Sequence, residues 1–243
     1  YDPIMRTLGL IVATGIAYFS VSIGTQSSHG QVMISELMYN PDSSEGRPPT
    51  DEEPEGKPNR TEWVELYNAG AKEHDLSGWK LSDEDGMTTA FPDGTTLAPG
   101  GVLVLIPDLS SEAAFKAAWG ENIDVVALGQ WDGKGLVNLS NSPSATNEIL
   151  VLSNAAGDPV DQVNYDDENG WPNDYPDGAS IYVLPKMLSA EDNDAPTAWA
   201  ASSNGKHGAK SNKKVEPYTG RDIGSPGHVE TPGEDPAESQ PSE

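Results

Sequence analysis

Glu62-Trp63-Val64-Glu65-Leu66-Tyr67-Asn68, followed after a short polar gap by Leu76-Ser77-Gly78-Trp79-Lys80-Leu81-Ser82-Asp83, is the stretch that decides the fold. Each half is a brief run of β-branched, aromatic and Leu residues punctuated by Asn, Gly and Asp, the pattern of two short strands joined by a turn. Alternation places Val64 and Leu66 on one face of the first strand and Trp63, Glu65 and Tyr67 on the other, so both faces carry apolar groups. In the second run Gly78 marks a bulge or a close backbone approach, and Trp79 is the expected centre of the core.

Working outward, Val32 to Tyr39 predicts a first strand, closed by Asn40-Pro41 because proline disfavours helix before it and cannot donate to a ladder. From Asp42 to Asn59 the chain is rich in Pro, Glu, Asp and Ser with almost no apolar side chains, and is read as a long surface insertion. Thr88 to Phe91, the Pro92-Asp93-Gly94 turn and Thr95 to Leu97 predict a hairpin, and Ala98-Pro99-Gly100-Gly101 turns into a strand over Val102 to Ile106. Between Asp108 and Gly120 the period changes. Ser110 or Ser111 can cap a short helix packed by Phe115 and Trp119, and Gly120 suits its end. Ile123 to Leu128, Ile149 to Leu152 and Pro159 to Tyr165 complete the strands, the last with Asp161 and Val163 on one face.

These motifs, in this order, resemble the lamin tail domain family. The opening V-I-x-E-I-x-Y-N-P element is matched by Ile34, Glu36, Leu37, Tyr39, Asn40 and Pro41, and the E-W-V-E-L-Y-N and D-L-S-G-W-K-L-S-D motifs by residues 62–68 and 75–83. F-P-D-G-T-x-L-A-P-G-G follows at 91–101 and L-x-L-x-N-x-x-G-x-x-V-D-x-V-x-Y at 150–165. Gly178-Ala179-Ser180-Ile181, Asp192-Asn193-Asp194 with Trp199, and Gly224-Ser225-Pro226-Gly227 extend the likeness. The resemblance implies an all-β, immunoglobulin-like β-sandwich, here with one short helix and long acidic loops, of a kind found at the end of nuclear lamins and in exported bacterial proteins. A sandwich is a scaffold, so function must come from a site.

The chain has 14 Lys and Arg against 39 Asp and Glu, a formal charge of -25, which repels phosphate backbones and anionic headgroups over a Debye length of about 8 Å. Nucleic acid is not an expected partner. The absence of cysteine excludes disulfides and thiolate chemistry. Arg6 before an apolar run from Leu8 to Ile23, with small residues after it, has the pattern of a secretory signal over residues 1–30, with Met5 as the start and Tyr1 to Ile4 an upstream artefact. An uncleaved anchor is the alternative. The expected division is this signal, a sandwich domain over 31–228, and a disordered acidic tail over 229–243. The expected location is outside the cell or on its surface, with no membrane contact after signal cleavage.

Of the histidines, His29, His74, His207 and His228, none sits in a G-x-S-x-G or H-E-x-x-H motif, and no catalytic residue is assigned. Carboxylates are the abundant functional group. Asp83-Glu84-Asp85-Gly86 is a weak match to the start of a calcium loop. Asp166, Asp167, Glu168 and Asn169, with Asp174 and Asp177 nearby, are the candidate calcium ligands, weighed against a merely solvated loop. No other cofactor is expected. Glu36 and Glu65 could bond backbone donors across the sheet or sit at the surface. Trp131, Trp171 and Tyr175 could stack on a sugar or cover the end of the core. Lys206, Lys210, Lys213 and Lys214 form the one basic run, suited to the chain's own acidic loops or to another protein. Asn59-Arg60-Thr61 and Asn138-Leu139-Ser140 fit the glycosylation pattern. The expectation is a non-catalytic structural or protein-interaction module with a protein or cell-envelope partner. A calcium-dependent or carbohydrate-binding adhesion module is the alternative, and an accessory domain of a secreted hydrolase system the third.

Overall fold

A computed structural model describes residues 32–43, 61–84, 86–131, 139, 149–166, 169–172 and 178–233. The signal pattern, nearly all of the acidic insertion and residues 234–243 lie outside them.

Strands β1 (Val32–Met38) and β2 (Trp63–Asn68) pair antiparallel at the centre of a sheet that has six strands among the described residues. Outside β2 lie β6 (Val102–Pro107) and, parallel to it, β7 (Val125–Leu128); outside β1 lie β10 (Ile181–Val183) and β11 (Trp199–Ala201). A parallel neighbour requires a crossover, and the helix α1 (Glu112–Trp119) supplies it. Ser111 caps α1, its side chain accepting from the Ala114 N–H, and the Gly120 N–H donates to the Lys116 carbonyl at 2.8 Å.

Among the described residues the facing sheet has three strands, in the order β4 (Lys80–Ser82), β8 (Ile149–Ser153) and β9 (Pro159–Asn164). Ile34, Val64, Leu66, Leu103 and Leu105 from one sheet and Leu81, Leu150, Leu152 and Val163 from the other form one buried cluster, and this is the sandwich core. Trp79 belongs to it, as expected, though it retains 8% exposure. On the opposite face of the large sheet a second cluster of Met38, Trp63, Val104 and Ile106 lies under Phe115, Ala118 and Trp119 of α1.

Two expectations are corrected. The two halves of the deciding stretch, expected as two strands joined by a turn, are separated by a further strand, and β2 and β4 belong to different sheets. Between them the chain adds β3 (His74–Asp75), which pairs with β5 (Thr96–Leu97), and then turns at Leu76 to Trp79, where Gly78 has φ of +77°. A Cβ at Gly78 would lie 3.2 Å from that of Ala155, so this glycine marks a close approach between loops. The second correction is the hairpin expected over Thr88 to Leu97. The Pro92-Asp93-Gly94 turn forms, with the Thr95 N–H donating to the Pro92 carbonyl, but its two arms go to different partners. The Phe91 N–H donates to Trp79, while Thr96 and Leu97 pair with β3.

Candidate functional site

The acidic loop expected to hold calcium is described only in part. Asp167 and Glu168 lie outside the described residues, as do Asp174 and Asp177. Asp166 is buried at the end of β9, where its Oδ2 accepts from the Asn169 side-chain amide at 2.9 Å, and Asn169 has a left-handed φ of 54°. In the weaker candidate, Asp83 accepts from the Gly86 N–H at 2.7 Å and Glu84 from the Ile149 N–H at 3.0 Å. Among the described residues no three His, Asp or Glu side chains converge as a metal would require.

The carboxylates that structure does converge on are Glu36 and Glu65. Their Cα atoms are direct partners across β1 and β2, after a register shift between Ile34 and Glu36 that doubles residues on β1. Glu65 lies on the Trp63 and Tyr67 face that alternation assigned it. Both side chains are sealed from solvent, at 1% and 0% exposure, which excludes the surface reading for each. Glu36 Oε1 accepts from Ser180 Oγ at 2.5 Å and the Ser225 N–H at 2.9 Å, and its Oε2 accepts from Ser225 Oγ at 2.7 Å. Glu65 Oε1 accepts from Ser35 Oγ at 2.8 Å and its Oε2 from the Gly227 N–H at 2.7 Å. The backbone donors therefore come from a C-terminal segment laid over the sheet, not from across the sheet.

Electrostatics follow from this burial. Desolvation raises the Glu36 carboxyl above its ordinary range, against the pull of its hydrogen bonds. Desolvation and then the neighbouring Glu36 charge push Glu65 well above it. Beside the pair opens a cleft of about 10 Å³, room for roughly one water, lined by Tyr182, His207, His228 and Glu230 among others. His207 Nδ1 lies 2.5 Å from Glu230 Oε2, and the His207 ring packs on Tyr182 with centroids 5.3 Å apart. Burial and the charges of Glu230 and Glu36 push the Tyr182 phenol up to about 12. The segment past His228, expected as the start of a disordered tail, is thus held here: Val229 packs on the core and Glu230 meets His207.

Two further buried carboxylates were not singled out from the sequence. Asp161 Oδ2 accepts from the Ile34 N–H at 2.6 Å and from the Asn193 side-chain amide at 2.9 Å, tying β9 to β1. Burial pushes its carboxyl up to about 6. The signal was legible, since alternation places Asp161 on the Val163 face. Glu62 Oε2 accepts from Trp131 Nε1 and from the Leu139 N–H, each at 3.1 Å. Trp131 is consequently buried and spent on this bond, not free to stack on a sugar. Trp171 is half-buried against Trp199, with centroids 6.0 Å apart, and Tyr175 lies outside the described residues. Lys206, Lys210, Lys213 and Lys214 are all exposed, three-residue spacing burying Ala209 and Asn212 between them.

The three strands that bear these carboxylates, those of Glu36, Glu65 and Asp161, fall inside one matched region: the profile of the Lamin Tail Domain family matches residues 25–167. The chain belongs to the lamin tail domain family. No curated protein matches it. The match ends before Ser180, Ser202, Ser225 and Gly227, yet these residues complete the polar shell of the two glutamates, so the lamin-tail module is closed by chain that follows the matched region.

Proposed function

We propose that this lamin-tail chain is an exported, non-catalytic interaction or structural module, and that its contact face is the lysine ridge from Lys206 to Lys214 with Arg221 beside it. The observation that carries this reading is charge segregation. Between Ala195 and Arg221 stand four lysines and one arginine against a single acid, Glu216, in a chain whose formal charge is -25. The four lysines are exposed and make no ion pair among the described residues, whereas Arg221 Nε bonds Asp42 at 2.7 Å. A basic ridge on an otherwise acidic chain selects an acidic protein surface and orients it on approach. Export is supported by the Arg6 to Ile23 pattern.

The buried carboxylates favour a scaffold over a reaction centre. Glu36, Glu62, Glu65 and Asp161 each accept from groups distant in the chain, which fixes loops onto the sheets. The experiment is retention of the purified protein on immobilised acidic peptide at low salt, beside a variant with all four lysines changed to Gln. Binding by the parent chain, lost in the variant and by raised salt, supports the ridge as the contact face. Equal retention of both proteins would overturn it.

A further inference from the structure

We propose that Glu36 and Glu65 share one proton, and that this proton is a latch holding the segment from Gly224 to Glu230 seated on the sheet. The segment lifts when the proton leaves.

The geometry forces a choice between charge states. Two carboxyl groups on directly paired residues, both sealed from water, cannot both be ionised without a countercharge. Among the described residues no lysine or arginine lines the cleft beside them. The groups facing the pair are His228 and Glu230 on the segment, His207 on the turn above it, Tyr182 on β10, and the apolar Val104 opposite Glu65 on β6. Hydrogen bonding says which carboxyl keeps the charge. Glu36 takes three close donors with Ser202 Oγ a fourth at 3.4 Å, and Glu65 two with the His228 N–H a third, so Glu36 holds the anion and Glu65 the proton.

The segment is what closes this chamber. Gly224 lies so close that a Cβ there would fall 2.9 Å from Trp63 Cζ2, and Ser225 and Gly227 supply donors to both carboxyls. Its far end is held by Glu230 against His207, on a turn in which Gly205, His207 and Gly208 are all left-handed. Gly208 presses onto His228, leaving no room for a Cβ. Losing the proton leaves two anions side by side; the proton passes to solvent by way of the one-water cleft. Relief comes from water, which enters when the segment lifts. The latch is therefore shut at acidic pH and open at alkaline pH. The raised proton affinity that burial gives both carboxyls acts in the same direction.

Hydrogen exchange of the full chain, corrected for intrinsic rates, tests this from about pH 5 to about pH 9, the range to which buried carboxyls can be pushed. The expected result is a loss of protection by tenfold or more over residues 225–230, with β6 unchanged. In Glu65→Gln, whose amide can donate to Ser35 Oγ while its oxygen keeps Gly227, that loss disappears. Glu36→Gln serves the same purpose should the first variant fail to fold, and His228→Asn retains the parent's response. Added salt weakens repulsion across the acidic surface but leaves the buried pair's response in place. A segment whose protection does not change with pH, a Gln variant that still follows the parent, or a response abolished by His228→Asn alone would each overturn the proposal. So would carbon NMR of the two carboxyls showing both to titrate in the ordinary range.

Discussion

Two neighbouring rungs on one face of the β1–β2 ladder are buried by opposite means. Met38 and Trp63 pair at one rung and are covered by α1, where Trp63 meets Phe115 and Trp119 edge-on at centroid distances of 6.4 and 5.9 Å. One inward step along the strands, Glu36 and Glu65 pair and are covered by the C-terminal segment through hydrogen bonds. The same sheet face is thus closed by hydrocarbon at one end and by carboxyl groups at the other. Hydrocarbon burial is non-directional and indifferent to pH; carboxyl burial is directional and depends on a proton. The helix end should act as a fixed foundation, and the carboxyl end as the part whose closure answers to solvent.

The sharpest way to break the comparison is at the hydrocarbon rung. Trp63→Ala should cost about 3 to 5 kcal/mol, and urea midpoints should show the same loss at acidic and at neutral pH. A cost that changed with pH would mean the two rungs are not independent. The next effect comes from Asp161, whose carboxyl is raised from 3.8 to about 6. Between those values the folded chain binds more protons than the unfolded one, so stability falls as pH rises through that window and levels off above it. The fall is about 3 kcal/mol at 1.36 kcal/mol per unit, and Asp161→Asn should flatten it in urea titrations run at successive pH values. A smaller effect is expected at the carboxyl rung itself. Ser225→Ala removes one donor to Glu36 and should cost about 1.5 to 3 kcal/mol, with hydrogen exchange rising first in residues 225–230. Exchange rising first at β6 would show that the segment is not a separable cover.

The contrast between the rungs also explains what was readable in the sequence. β1, β2, β6 and α1 were legible because each is long, periodic and bounded by its own turn or cap, and Ser111 and Gly120 do what their positions suggest. The hairpin over Thr88 to Leu97 was misread because a real local turn says nothing about the distant partners of its arms, here Trp79 and β3. The site was less legible still. Alternation places Glu65 on a partly apolar face, but its partner Glu36 arrives there through a bulge at Ser35, which has no signature in the residues. Their donors stand up to 189 positions away, in a segment whose Gly-Ser-Pro-Gly composition reads only as a turn.

The smallest effect concerns the acids of the 166–169 loop, and it asks whether they differ in kind from the buried pair. A cation bound by Asp166, Asp167, Glu168 and Asn169 would stabilise the fold by about 2.7 kcal/mol at a hundred times its dissociation constant, because only the folded chain would present the site. Asp166 argues against so large a shift, since one of its oxygens is already taken by the Asn169 amide. The acids are also nearly consecutive, whereas hard-cation loops space their ligands so that alternate side chains converge. Screening alone remains, and it acts on the -25 charge without regard to which cation supplies it. Calcium and sodium at matched ionic strength should therefore raise the melting temperature by the same amount. A saturable excess for calcium, abolished by Asp166→Asn together with Asp167→Asn, would show that this loop converges on an ion after all and would bring the adhesion reading ahead of the lysine ridge.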